Sequence, residues 1–149
     1  MDLVAIKIMI GGDYLGRRTW IKIHCNGWLH KSIRRESIGT RSVFVDLLAM
    51  AGDSVYGDKG YVQLAEDTGF ADDVLASVMN TPLDIWLLAK ERLSNNPDVK
   101  ENRIRIIPLK VGFGIQIINW KLYQSEYERQ KPHRNIEFKK LRETIKRRD

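Results

Sequence analysis

The 149-residue sequence predicts an α+β, mainly α fold: a winged helix-turn-helix domain with a two-stranded wing and a basic helical C-terminal tail. Three observations lead there. Short amphipathic segments with helical spacing fill the middle of the chain. Two β-branched runs near residue 110 flank a five-residue connection with two glycines, which reads as a hairpin. Beyond residue 131 the apolar residues thin out and cations crowd together. The chain therefore divides into an N-terminal arm or strand (1–17), the winged-helix domain (18–131) and the tail (132–149).

Taken in order, Leu3 to Ile10 places Val4, Ile6, Ile8 and Ile10 on one face, a strand pattern. Gly11-Gly12-Asp13 and Gly16 are turn residues, and Trp20 to Ile23 is a second short strand. The two strands make either a hairpin or a frayed arm. Trp28 to Glu36 reads as a helical turn plus loop carrying the cations Lys31, Arg34 and Arg35. Val43, Phe44, Leu47, Leu48 and Ala51 then repeat along one helical face, with Thr40 as its N-cap and Gly52 just past its end.

Gly57-Asp58-Lys59-Gly60 is a turn and Tyr61-Val62 a short extended step. Val62, Leu64 and Ala65 begin a brief helix that stops at Gly69. Ala71 to Asn80 forms the next, with Val74, Leu75, Val78 and Met79 inward. Thr68-Gly69-Phe70 between them is the turn of a helix-turn-helix. Thr81 caps a further helix, Pro82 takes its first position, and Leu83, Trp86, Leu87 and Leu93 share its face. Asn95-Asn96-Pro97 stops it. Arg103 to Leu109 and Ile115 to Ile118 are the wing strands, with Arg103, Arg105 and Lys110 on the solvent side. A helix from Trp120 to about Arg129 breaks near Pro132. Asn135 to Arg148 forms the last, with Phe138, Leu141 and Ile145 as a thin apolar stripe.

Composition narrows the function classes. At 43% hydrophobic the chain can bury a core. At 30% charged, with a mean hydropathy of −0.36, it has no run approaching the length of a membrane span. The N-terminus lacks the pattern of a signal peptide, and the single cysteine, Cys25, can form no internal disulfide, so an intracellular setting is expected. The net charge of +6 is uneven, with +4 in residues 1–50, −3 in 51–120 and +5 in 121–149. Basic ends around an acidic middle suit a polyanionic partner, and equally a solvated basic surface.

No phosphate-binding loop or nucleophile elbow is present, so no enzyme is expected. Asp53, Asp58, Glu66, Asp67, Asp72 and Asp73 lie mostly where turns and caps favour acids. His24, Cys25 and His30 match no structural zinc spacing, and no cofactor or metal is expected. Trp28, Trp86 and Trp120 read as core anchors ahead of base-stacking platforms. The expected recognition helix, Ala71 to Asn80, opens with two acids, which repel phosphate. Ser77 and Asn80 are its obvious hydrogen-bonding side chains. DNA affinity would then come from Arg34 and Arg35, from Arg103, Arg105 and Lys110 on the wing, and from Lys139, Lys140, Arg142, Lys146, Arg147 and Arg148 in the tail. Such binding is backbone-dominated and salt-sensitive.

Two runs carry a family likeness. Gly60-Tyr61-Val62, Leu64-Ala65 and Thr68-Gly69-Phe70 form the first, and Ile117-Ile118-Asn119-Trp120-Lys121-Leu122-Tyr123-Gln124 the second. With Trp20-Ile21-Lys22 and the Phe44, Leu47, Leu48 helix, the chain from Arg18 to Arg134 resembles the N-terminal domain of phage replisome organisers and DnaD-like primosome proteins. The resemblance implies a winged-helix fold and a role in initiating phage or prophage DNA replication in a bacterial cytoplasm. It implies DNA binding, self-association, and recruitment of a replicative helicase or other replisome proteins. Two departures limit it: members often continue into a second domain, whereas a short basic tail follows here, and the expected recognition helix starts acidic. A winged-helix protein-interaction module and a small transcriptional repressor are the alternatives.

Overall fold

Ser37 starts the longest helix of the computed structural model, which describes residues 17–55, 59–122, 124 and 139–145. Its Oγ accepts from the Thr40 N–H at 3.2 Å, so Ser37 is the N-cap in place of Thr40. Thr40 lies within the first turn and is buried. A short helix, α1 (Cys25–His30), and a 3-10 turn (Ser32–Arg35) precede this helix, α2 (Ile38–Asp53). Val43, Phe44, Leu47, Leu48 and Ala51 are buried along α2, as their spacing predicts. Gly52 falls inside the last turn, and the Ser54 N–H closes the helix on the Ala51 carbonyl.

After α2 come β1 (Tyr61–Val62), α3 (Asp72–Val78), α4 (Leu83–Ser94), β2 (Ile104–Pro108) and β3 (Phe113–Ile117). The three strands form one antiparallel sheet in the order β1-β3-β2. Arg105 and Tyr61 both lie opposite Gln116, while Val62 and Ile106 face Ile115. Val62, Ile104, Ile115 and Ile117 turn their side chains into the core. There they meet Leu47, Leu75, Trp86 and Leu93, each almost fully buried. Burial of one such side chain contributes about 1.5–3 kcal/mol.

The helix expected between Val62 and Gly69 does not form. Residues 63–71 run extended and turned, with Ala65 bridged to Thr68, Thr68 to Val111 and Phe70 to Phe113. Gly69 makes the close approach possible, because a Cβ there would overlap the Phe113 carbonyl. The paired helices are instead α3 and α4, joined across Met79 to Pro82, with Asn80 in the left-handed region at φ 50°. Thr68-Gly69-Phe70 is thus not the turn between two helices, and the helix pair lies one element later. Thr81 does not cap α4; its hydroxyl donates to the Met79 carbonyl at 3.1 Å, and Pro82 occupies the cap position.

At the other end of β3 the chain turns through Asn119, at φ 63°, into a helical stretch covering 120–122 and 124. Trp120 is 3% exposed and its indole sits over Gly60. A Cβ at Gly60, whose φ is 75°, would overlap that ring. Gln124 is also buried; its side chain accepts from the Lys22 N–H and donates to the Lys22 carbonyl, both at 3.1 Å. Residues 139–145 are helical and exposed throughout. The strand expected at Leu3 to Ile10, the turn at Gly57-Asp58, the break at Pro132, Phe138 and the cations Lys146, Arg147 and Arg148 lie outside the described residues.

Candidate functional site

α4 is the second helix of the α3–α4 pair. Two anchors fix it. The Trp86 indole is fully buried, donates to Asp72 Oδ1 at 2.9 Å, and stacks on Phe113 with 6.3 Å between centroids. Lys90 Nζ donates to the same Asp72 oxygen at 3.0 Å and sits 4.4 Å from the Phe113 ring centroid. Asp72 therefore holds α3 to α4. Both donors meet its Oδ1, so the charge of this acid at the start of α3 is paired with Lys90.

The C-terminal end of α4 is tied down by Glu36. Arg92 donates to both Glu36 oxygens, at 2.9 and 2.8 Å, and Asn96 Nδ2 adds a third donor at 3.3 Å. The hydrogen bonds and charge of Glu36 push the Arg92 pKa further above its ordinary value, so Arg92 stays cationic and committed.

What α4 leaves to solvent is apolar and acidic. Leu83, Leu87 and Leu88 are exposed, by 44% to 54%, together with Asp84 and Glu91. Val74 and Val78 of α3 are exposed as well. Val74, Val78, Leu83 and Leu87, expected to face inward, do not; Leu75, Ala76, Trp86, Ala89 and Leu93 fill the core. The helix pair carries more apolar residues than one buried stripe can hold. Ser77 and Asn80 are exposed but stand on α3 and its following turn, not on α4.

The sequence-selected cations separate into two groups. Arg34 and Arg103 are engaged internally: Arg34 stacks 5.4 Å above Trp28 and its Nε donates to the Trp28 carbonyl, while Arg103 donates to Ser32 Oγ at 2.8 Å and lies 5.7 Å from the Phe44 ring. Arg103 precedes β2 and packs against Ser32 and Phe44, so, contrary to expectation, it is not on the solvent side of the β2–β3 hairpin. Arg35, Arg105, Lys110, Lys139, Lys140 and Arg142 are exposed. Arg105 bonds Gln116 Oε1 at 3.2 Å on the outer face of the sheet, and Lys110 stands at the hairpin tip.

A cleft of about 630 Å³ opens between α1 and the end of β3, lined by Trp28, Lys31, Phe44, Lys100, Arg103 and Trp120 among others. Trp86 and Trp120 are buried, so neither offers a stacking face; Trp28 is half-buried beneath Arg34. Among the described residues no group of three or more His, Cys, Asp or Glu is placed to hold a metal, and no helix is long and apolar enough to cross a membrane. The exposed α3–α4 face was the feature sequence reasoning missed. Its signal was present as a surplus, with Val74, Val78, Leu83, Leu87 and Leu88 beyond the single stripe the core needs.

Comparison of the chain with models of protein families, with curated proteins and with solved structures returns no match.

Proposed function

We propose that the chain is a winged-helix DNA replication initiation protein of phage type, which holds DNA through its backbone and helps assemble the replisome or load helicase. The connectivity carries the reading. A long helix, an edge strand, a helix pair and a two-stranded hairpin follow one another, and the sheet order is β1-β3-β2. In this arrangement α4 is the recognition helix and the β2–β3 hairpin is the wing.

The chemistry of α4 decides how such a scaffold works. Base edges are read by Arg, Lys, Asn, Gln and similar donors and acceptors. The exposed residues Leu83, Asp84, Leu87, Leu88 and Glu91 offer no cation and no amide. Sequence-specific reading by α4 is therefore disfavoured, and with it the small-repressor alternative. Phosphate contacts fall to Arg35, to Arg105 and Lys110 on the wing, and to the tail cations. These fix position on DNA without reading sequence. α4 is left for a protein partner, which brings the interaction-module alternative inside the same reading.

The test is a salt titration of binding to duplex and to single-stranded DNA. Affinity that falls steeply with salt and depends little on sequence supports the proposal. No binding at low salt leaves only the protein-interaction module.

A further inference from the structure

α4 and the tail helix carry matching surfaces. On α4, Leu88 lies one helical turn from Asp84 and one from Glu91, so a leucine is bracketed by carboxylates. Leu83 and Leu87 run beside it, and all five are exposed. In the tail, Leu141 and Ile145 stand one turn apart and are 56% and 54% exposed. Lys140 and Arg142 flank them, also exposed. One surface is an apolar ridge rimmed by acids, the other a short apolar stripe rimmed by bases. Each exposes large side chains that water solvates poorly. The cations of α4 do not interfere, because Lys90 is bound by Asp72 and Arg92 by Glu36.

We propose that the tail helix of one copy docks on the acidic leucine face of α4 in a second copy. Within a single chain both surfaces stay exposed, so the contact is not made there. Two copies satisfy each other reciprocally across a two-fold axis, tail on face and face on tail. Apolar burial supplies the attraction, and the charges set orientation and exclude mismatched partners. The inference rests on the reading of α4 as a protein-docking helix, and because it uses Lys140 and Arg142 the docked tail competes with DNA for those cations.

A charge-swapped pair of full-length variants tests it. D84K/E91K makes the face basic and leaves the tail basic. K140E/R142E leaves the face acidic and makes the rim of the tail's apolar stripe acidic. Sedimentation velocity at low salt should show the unsubstituted chain associating, and each variant alone associating about tenfold more weakly or worse. An equimolar mixture should regain association close to that of the unsubstituted chain, because each face then meets an oppositely charged tail. Circular dichroism confirms that the variants fold. A chain that stays monomeric at every concentration overturns the proposal, as does a mixture no stronger than its components. So do variants that each associate as tightly as the unsubstituted chain. DNA anisotropy on D84K/E91K, which keeps every tail cation, reports the DNA reading separately.

Discussion

Lys139→Gln, Lys140→Gln and Arg142→Gln together should halve the part of the electrostatic footprint on DNA that the described residues supply, while leaving the fold untouched. Among the described residues six of the sequence-selected cations are exposed: Arg35, Arg105, Lys110 and these three. If each neutralises one phosphate, the logarithm of affinity for duplex falls with the logarithm of salt at a slope of about −5. Raising salt fourfold then weakens binding by roughly 10³-fold. Removing three contacts brings the slope to about −3 and the same fourfold change to roughly 40-fold. For single strands, with lower charge density, both slopes shrink by about a fifth. Fluorescence anisotropy of a labelled oligonucleotide across a salt series measures the slopes. Side chains exposed to this degree rarely change stability by more than about 0.5 kcal/mol, so the melting temperature is the control. A slope unchanged by the triple substitution would refute the assignment of the tail to phosphate, and a large loss on Ser77→Ala or Asn80→Ala would restore base reading by α3.

Other outcomes follow from the packing and charges. Gly60→Ala forces a side chain into the Trp120 ring at φ 75° and should cost about 2–4 kcal/mol, read from chemical denaturation. Asp72→Ala orphans the buried Trp86 N–H and should cost about 1–3 kcal/mol, with a red- or blue-shifted tryptophan emission marking the change around the indole. Burial raises the Asp46 pKa above the ordinary aspartate value. Below that value the carboxyl is neutral in both states and contributes nothing; as pH rises through the folded-state pKa, only the folded state bears the cost of a desolvated charge. Asp46→Asn should therefore raise the melting temperature at neutral pH and leave it unchanged in strong acid. An equal effect at both pH values would rule out burial as the cause.

The parts of the fold that rest on local pattern were legible. The apolar repeat of α2, the hairpin around Lys110 and Gly112, and the α4 start, read one residue early at Pro82, all come from neighbours within a few residues. The stretch from Gln63 to Phe70 was not, because its structure is imposed from afar. Thr68 bridges Val111 and Phe70 bridges Phe113, more than forty residues along. Leu64 and Ala65, which suggested a helix by their apolar spacing, are exposed at that turn. Burial misled in the same way on α3 and α4, where apolar identity was equated with facing the core. Val74, Val78, Leu83 and Leu87 break that equation. The cations were harder still. Nothing in their spacing separates Arg103, which is committed to Ser32 and Phe44, from the exposed Arg105 two residues later.

The most family-like run, Asn119 to Gln124, has structural work to do in every described residue with a buried or left-handed role. Asn119 makes the turn, Trp120 lies on Gly60, and Gln124 clasps the Lys22 backbone. Its consequence is mechanical. Whatever pulls on the C-terminal extension pulls first on this clasp and then on β3. β3 is the central strand, bonded to β1 on one side and β2 on the other. Load applied along it is shared in shear by both ladders at once, instead of peeling an edge strand bond by bond. A tail gripping a tensioned filament would thus be anchored to the central strand of the sheet. Stretching single molecules from the C-terminus should show a rupture force that drops when Trp120→Ala removes the anchor.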